Sequence, residues 1–194
     1  MKKSIRITAL VAAATLAAGA LVAPTANAAS KVKAAVAYDI GGRGDKSFND
    51  SAAAGLDRAK KKFGVTVREV TVTQGSDSER EDKLRLLAKA GHNPIIAVGF
   101  LYAGPLKKVA TEFPKTQFAI VDDSSVALPN VSSLVFAEEQ GSYLAGVAAA
   151  LASVTGQIGY IGGVRIPLLQ KFEAGFVAGV KATDKNATID VKYV

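Results

Sequence analysis

Residues 32–63 read VKAAVAYDIGGRGDKSFNDSAAAGLDRAKKKF, and the fold class follows from this stretch. A short apolar run from Val32 to Tyr38 has the length and β-branched content of a buried strand. It breaks into the polar, glycine-rich loop 39–46. From Ser47 to Phe63 the apolar positions Ala53, Leu56, Ala59 and Phe63 recur at three-to-four spacing, which predicts an amphipathic helix closed by Gly64. Strand, glycine loop and helix in that order are the opening of a βαβ unit and therefore of a parallel sheet.

The alternation continues outward. Val65–Val72 is predicted as a strand. Ser78–Ala90 follows as a charged helix with Leu84, Leu87 and Ala88 inward and Gly91 past its end. Pro94–Val98, Gln117–Val121 and Val131–Phe136 complete five strands, with a helix over Tyr102–Phe113. Gly141–Ser153 has almost no polar face and is expected to be a crossover helix buried on most sides. The pattern then restarts with a strand over Gln157–Ile161, a helix over Pro167–Thr183 and a strand over Thr188–Tyr193. One βαβ unit cannot bury its own faces. The expected organisation is thus an N-terminal α/β lobe over 30–137, a crossover helix over 138–154, and an incomplete second α/β lobe over 155–194.

The first 29 residues stand apart. Lys2, Lys3 and Arg6 precede an uncharged apolar stretch from Ala9 to Val22, and Ala26-Asn27-Ala28 offers small residues at cleavage spacing. This predicts a secretory signal peptide and an exported protein. The chain contains no cysteine, which excludes disulfides, thiolate metal sites and a cysteine nucleophile, and leaves no lipid attachment point after the signal. Setting aside the three leader cations lowers the formal charge from +7 to +4. The remaining Lys and Arg are interspersed with acids, so no nucleic-acid partner is implied, and Lys60-Lys61-Lys62 reads as a helix terminus.

In open α/β sheets ligands sit beyond the carboxyl ends of the strands. The first such loop carries Asp39, Asp45, Ser47, Phe48 and Asn49. Asp45 and Ser47 are candidates both for capping the next helix and for ligand contact. Phe48 either staples that helix to the core or offers its ring to a ligand. The third and fourth strands end in Gly99-Phe100 and Asp122-Asp123 on the same rim, so a carboxylate at Asp122 should converge with the first loop. Gly42-Arg43-Gly44 half-matches a dinucleotide fingerprint, but the third glycine is missing and Glu69 lies inside the next strand. The ending of a phosphate-binding P-loop is missing as well. His92 is the single histidine and sits on the opposite rim, so no histidine-based triad or typical zinc site can be assembled. No catalytic residue and no cofactor is expected.

Tyr38-Asp39-Ile40-Gly41-Gly42 with Asp45-Lys46-Ser47-Phe48-Asn49 resembles the opening motif of the basic membrane lipoprotein family of ABC-transporter solute-binding proteins, which includes purine nucleoside receptors. Phe118–Asp122, Glu138–Gly146, Gly162-Gly163 and Phe172–Gly179 agree in order. The resemblance implies a type I periplasmic-binding fold whose two lobes close on a nucleoside, delivered to an ABC permease without chemical change. It implies that Phe48 stacks on the base, that Asp39, Asn49 and Asp122 supply hydrogen bonds with Asp45 and Ser47 close by, and that Phe172 faces them from the other lobe. Members usually carry a lipobox cysteine, and Ala26-Asn27-Ala28-Ala29 departs from that. An enzyme handling nucleosides or nucleotides and a ligand-sensing receptor are the competing readings.

Overall fold

The computed structural model describes residues 32–194; the segment predicted as a signal peptide lies outside the described residues. Five parallel strands form one sheet in the order β2-β1-β3-β4-β5: β1 Lys33–Tyr38, β2 Thr66–Thr71, β3 Ile95–Val98, β4 Phe118–Val121 and β5 Val131–Leu134. Helices α1 Phe48–Phe63, α2 Asp77–Lys89 and α3 Ala103–Glu112 connect them, with a short 3-10 turn at Phe100–Tyr102 ahead of α3. β1 and β3 are central and buried on both faces, which is why they read as continuous apolar runs rather than as alternation. On one side of the sheet Leu84, Leu87, Leu106 and Val109 of α2 and α3 pack on Ala35, Ala37, Ile95 and Ile120. On the other, Ala53 and Leu56 of α1 cover Val36, Tyr38 and Val98.

Phe63 departs from the expected inward face: it is exposed, with the Lys62 ammonium 5.2 Å from its ring, because the helix ends there on a left-handed Gly64. The fifth strand stops at Leu134, two residues early, so Phe136 is free to turn toward the rim.

α4 spans Glu138–Ala152, β6 Gln157–Gly162, α5 Pro167–Thr183 and β7 Thr188–Tyr193; β6 and β7 form a two-stranded parallel sheet. Contrary to the expectation of burial on most sides, only Glu138 and Gly146 of α4 are buried, and Leu144 and Leu151 are 68% and 75% exposed. The reason is that, among the described residues, α5 is the one element packed extensively against it, on a single face. α4 meets α5 along glycines, where a Cβ on Gly146, Gly175 or Gly179 would overlap the backbone carbonyl of Phe176, Glu139 or Tyr143. That approach buries backbone against backbone and leaves the longer side chains of α4 pointing away. Among the described residues no helix is long and apolar enough to cross a membrane.

Candidate functional site

The loop after β1 is built almost wholly by its own carboxylates. Gly41, Gly42 and Gly44 have φ of 96°, 56° and 100°, and Gly42 additionally lacks room for a side chain, since a Cβ would lie 2.9 Å from Thr71 Oγ1. Asp50 accepts the Gly44 and Lys46 N–H groups at 2.7 and 3.0 Å. Asp45 accepts those of Ser47, Asn49 and Asp50 at 2.9–3.0 Å. Burial works against ionisation of Asp45, but these donors outweigh it and hold its pKa below the usual carboxylate range. Asp45 is therefore the helix cap; the Ser47 hydroxyl, the other capping candidate, makes no cap bond. Arg43 clamps the outer side, bidentate to Asp57 at 2.8 and 2.9 Å and to Glu69 at 2.6 and 3.0 Å. Glu69, which also accepts the Tyr38 hydroxyl at 2.7 Å, is thus engaged in fixing the loop.

Asp39 is held from beneath. Arg80 on α2 is 2% exposed and donates from Nη2 to Asp39 Oδ1 at 2.8 Å and from Nη1 to the Gly75 carbonyl at 2.6 Å, with its guanidinium 5.7 Å from the Tyr102 ring centre. Oδ1 also takes the Ile40 N–H at 2.9 Å, so the second oxygen, Oδ2, is the one directed toward Gly99 and the rim. Asn49 is buried; its amide donates to the Asp39 and Ile40 carbonyls at 3.5 and 3.3 Å, while its Oδ1 is buried without a hydrogen-bond partner.

Phe48 opens α1 and is 45% exposed. Of the two readings of this ring, stapling to the core and display, the geometry favours display, since Phe48 belongs to neither core cluster and its aromatic neighbour Phe136 is itself exposed. One edge meets Phe136, with centroids 6.2 Å apart and planes at 74°, and the rest faces open space. Asp122 follows β4 with φ 69°, an uncommon conformation for a residue with a side chain, and its N–H donates to the Leu134 carbonyl at 2.8 Å. Its pKa is raised by desolvation first, then by the neighbouring charges of Glu138 and Asp123, against the pull of Lys171.

Two clefts share Phe48 and Asp122 as a common wall. The first, about 350 Å³, is bounded by Asp39, Asp45, Ser47, Asn49 and Gly99–Leu101 at the carboxyl ends of β1, β3 and β4. The second, about 510 Å³, is bounded by Phe136, Glu138, Ser142 and Phe172. All seven candidate residues thus line one continuous region, and Phe172 enters it from α5. A hollow of about 550 Å³ between α4 and α5 is larger than either, but its exposed surface is almost wholly apolar, and none of the candidate residues lines it. Four participants carried no sequence signal strong enough to single them out. Arg80 lies in a segment that reads as a charged helix, Phe136 reads as the last residue of a strand that ends at Leu134, and Glu138 figures only within the stretch Glu138–Gly146 that carries the family resemblance. Lys171, which pairs with Glu138, looked like one more solvated lysine. Among the described residues no cluster of His, Cys, Asp or Glu has the form of a metal site.

Known proteins agree with this architecture. A family model described as ABC transporter substrate-binding protein PnrA-like matches residues 31–194. A CD4+ T-cell-stimulating antigen of Listeria monocytogenes is 39% identical over 82% of this chain and 45% of that protein. The ABC transporter nucleoside-binding protein BmpA of Lactococcus lactis is 34% identical over 84% of this chain and 47% of that protein. The crystal structure of an ABC transporter solute-binding protein from Aeropyrum pernix superposes with a TM-score of 0.71 at 33% identity, over 84% of this chain and 47% of that one. The chain spans about half the length of these relatives. The fold is that of the type I periplasmic binding proteins, and the matching family is one of ABC transporter substrate-binding proteins rather than of enzymes. With the family model covering every described residue and two relatives above 30% identity, the chain belongs to the Bmp family of PnrA-like ABC transporter substrate-binding proteins.

Proposed function

We propose that this protein works outside the cytoplasm as the capture component of an ABC importer, taking up a nucleoside, a purine nucleoside foremost, and handing it unchanged to a membrane permease. In this reading residues 30–137 form one lobe, 138–154 cross over, and 155–194 belong to the second lobe. The observation that carries it is the shared wall of Phe48 and Asp122: a displayed aromatic face next to a carboxylate, with Asp39 Oδ2 on the same rim. These oxygens accept hydrogen bonds, and a nucleoside offers a flat ring to stack and ring N–H, amino or hydroxyl groups to donate. Asp45 and Ser47 shape the loop, and Phe172 closes on the ring from α5. The name of the Lactococcus relative supports the ligand class.

Calorimetric titration with inosine, guanosine and adenosine tests it. Phe48→Ala should weaken binding by roughly 1–3 kcal/mol, the worth of stacking one base, and Asp122→Ala by roughly 1.5–3 kcal/mol for a hydrogen bond to a charged group. Inosine should be recovered intact after incubation. Unchanged affinity in both variants refutes the site, and release of hypoxanthine refutes the binding-only function.

A further inference from the structure

Glu138 opens α4 with a side chain only 3% exposed, and it is not among the residues whose type and position first pointed to the cleft. One carboxylate oxygen accepts the Phe136 N–H at 3.2 Å, and the other accepts the Lys171 ammonium. Lys171 also donates to the Phe136 carbonyl at 3.3 Å. The pair therefore grips both backbone polar groups of Phe136, the residue whose ring meets Phe48. Lys171 itself belongs to α5 and precedes Phe172, whose carbonyl accepts the Ser142 hydroxyl of α4 at 2.6 Å. Burial alone would raise the Glu138 pKa, but the Lys171 ammonium and backbone N–H groups keep it below the ordinary range, so the side chain is ionised.

A buried ion pair is weak evidence for stability, because an apolar pair of similar volume commonly serves as well. What it supplies is a fixed geometry. We propose that Glu138 and Lys171 are positioning residues for ligand capture: their ion pair fastens Phe136 to the start of α5 and sets the gap between the Phe48–Phe136 edge and Phe172. The pair does this from one side of the cleft, where it controls the spacing of the rings without itself providing the surface on which a ligand stacks. This rests on the reading that a flat ligand enters the cleft at Phe48.

The test uses the full chain and two readouts. In the ligand-free protein, a nuclear Overhauser contact between the Phe48 and Phe136 rings should be present in the wild type and in Lys171→Arg, which keeps the pair. It should be lost or weakened severalfold in Lys171→Met and Glu138→Gln. Lys171→Met leaves the buried Glu138 carboxylate without its cation, whereas Glu138→Gln leaves no buried charge, so the glutamine variant carries the test if the methionine variant is too unstable to fold. In parallel, inosine affinity should fall about tenfold in each of these two variants, the scale of one misplaced aromatic contact, and no further in the double variant. An unchanged ring contact in Lys171→Met overturns the proposal, as do additive losses in the double variant. If the wild type binds no nucleoside, the functional reading fails, and the ring contact alone decides whether the pair positions Phe136.

Discussion

Arg80→Met is the sharpest probe of how the rim is built. The guanidinium is almost wholly enclosed, and its removal would leave the Asp39 carboxylate, 21% exposed, without its cation. Breaking a buried pair from one side typically costs roughly 3–5 kcal/mol, because the surviving charge stays desolvated. The lower end applies here, since Asp39 keeps the Ile40 N–H and some access to water. A loss of about 3 kcal/mol, at a urea slope of about 2 kcal/mol/M, moves the unfolding midpoint down by about 1.5 M. Asp39→Asn in the same background should restore part of that loss, because the group left behind is then a neutral amide. The two changes should accordingly be non-additive by roughly 1–3 kcal/mol. Urea titrations of the wild type, both single variants and the double variant give the full cycle. A drop below about 1 kcal/mol for Arg80→Met, or strict additivity, would show that the pair is not what holds the first loop.

The helix contact gives an opposed pair of glycine predictions. Gly179→Ala must push α4 and α5 apart and should cost at least about 2 kcal/mol, whereas Gly55→Ala, on an open face of α1, should stabilise by about 0.5–1 kcal/mol; thermal unfolding of the two variants checks the contrast. The Glu79 carboxylate accepts the Thr73, Gln74 and Gly75 N–H groups, which lower its pKa from 4.5 to about 2. Its folded-state pKa lies below the unfolded one, so its contribution is present above about pH 4.5 and is lost as the pH falls toward 2; Glu79→Gln should flatten the stability profile in that window. Asp122 has the opposite sign: its raised pKa makes the folded state hold the proton longer, so its contribution to stability declines as pH rises through the shifted range. Because donors on a ligand need the ionised form, inosine affinity should fall as pH drops through that same range. Lys171→Met should move the midpoint upward, which pH-dependent calorimetry would detect.

The strand-helix alternation was legible because each element buries one continuous apolar face against a neighbour close in the sequence. β1 and β3 read as strands for their unbroken apolar runs, and α2 read as a helix for Leu84, Leu87 and Ala88, all three buried in the structure. α4 defeated the same logic. Its composition, rich in Ala and Leu, matches a helix enclosed on all sides, yet burial depends on what lies opposite. Among the described residues α5 lies along one face of α4, closely at the glycines, and nothing packs extensively on the other faces. Hydrophobicity records what a face can bury, and it does not record how far the partner reaches.

The site divides along the same line. Asp39, Phe48 and Asp122 could be placed on one rim from strand order alone, because a parallel sheet sends the carboxyl ends of all its strands to the same edge. Arg80, Glu138 and Lys171 could not, because each acts through a partner 33 to 41 residues away, and no local spacing encodes such a pairing. A buried arginine in the run Ser78-Glu79-Arg80-Glu81-Asp82-Lys83 looks like every other solvated charge until the Asp39 carboxylate is seen above it. The division has a physical cause. Groups that would face a ligand sit where the fold must put them, whereas the groups that orient them are selected by complementary charge across elements. The second kind becomes visible only when the elements are packed together.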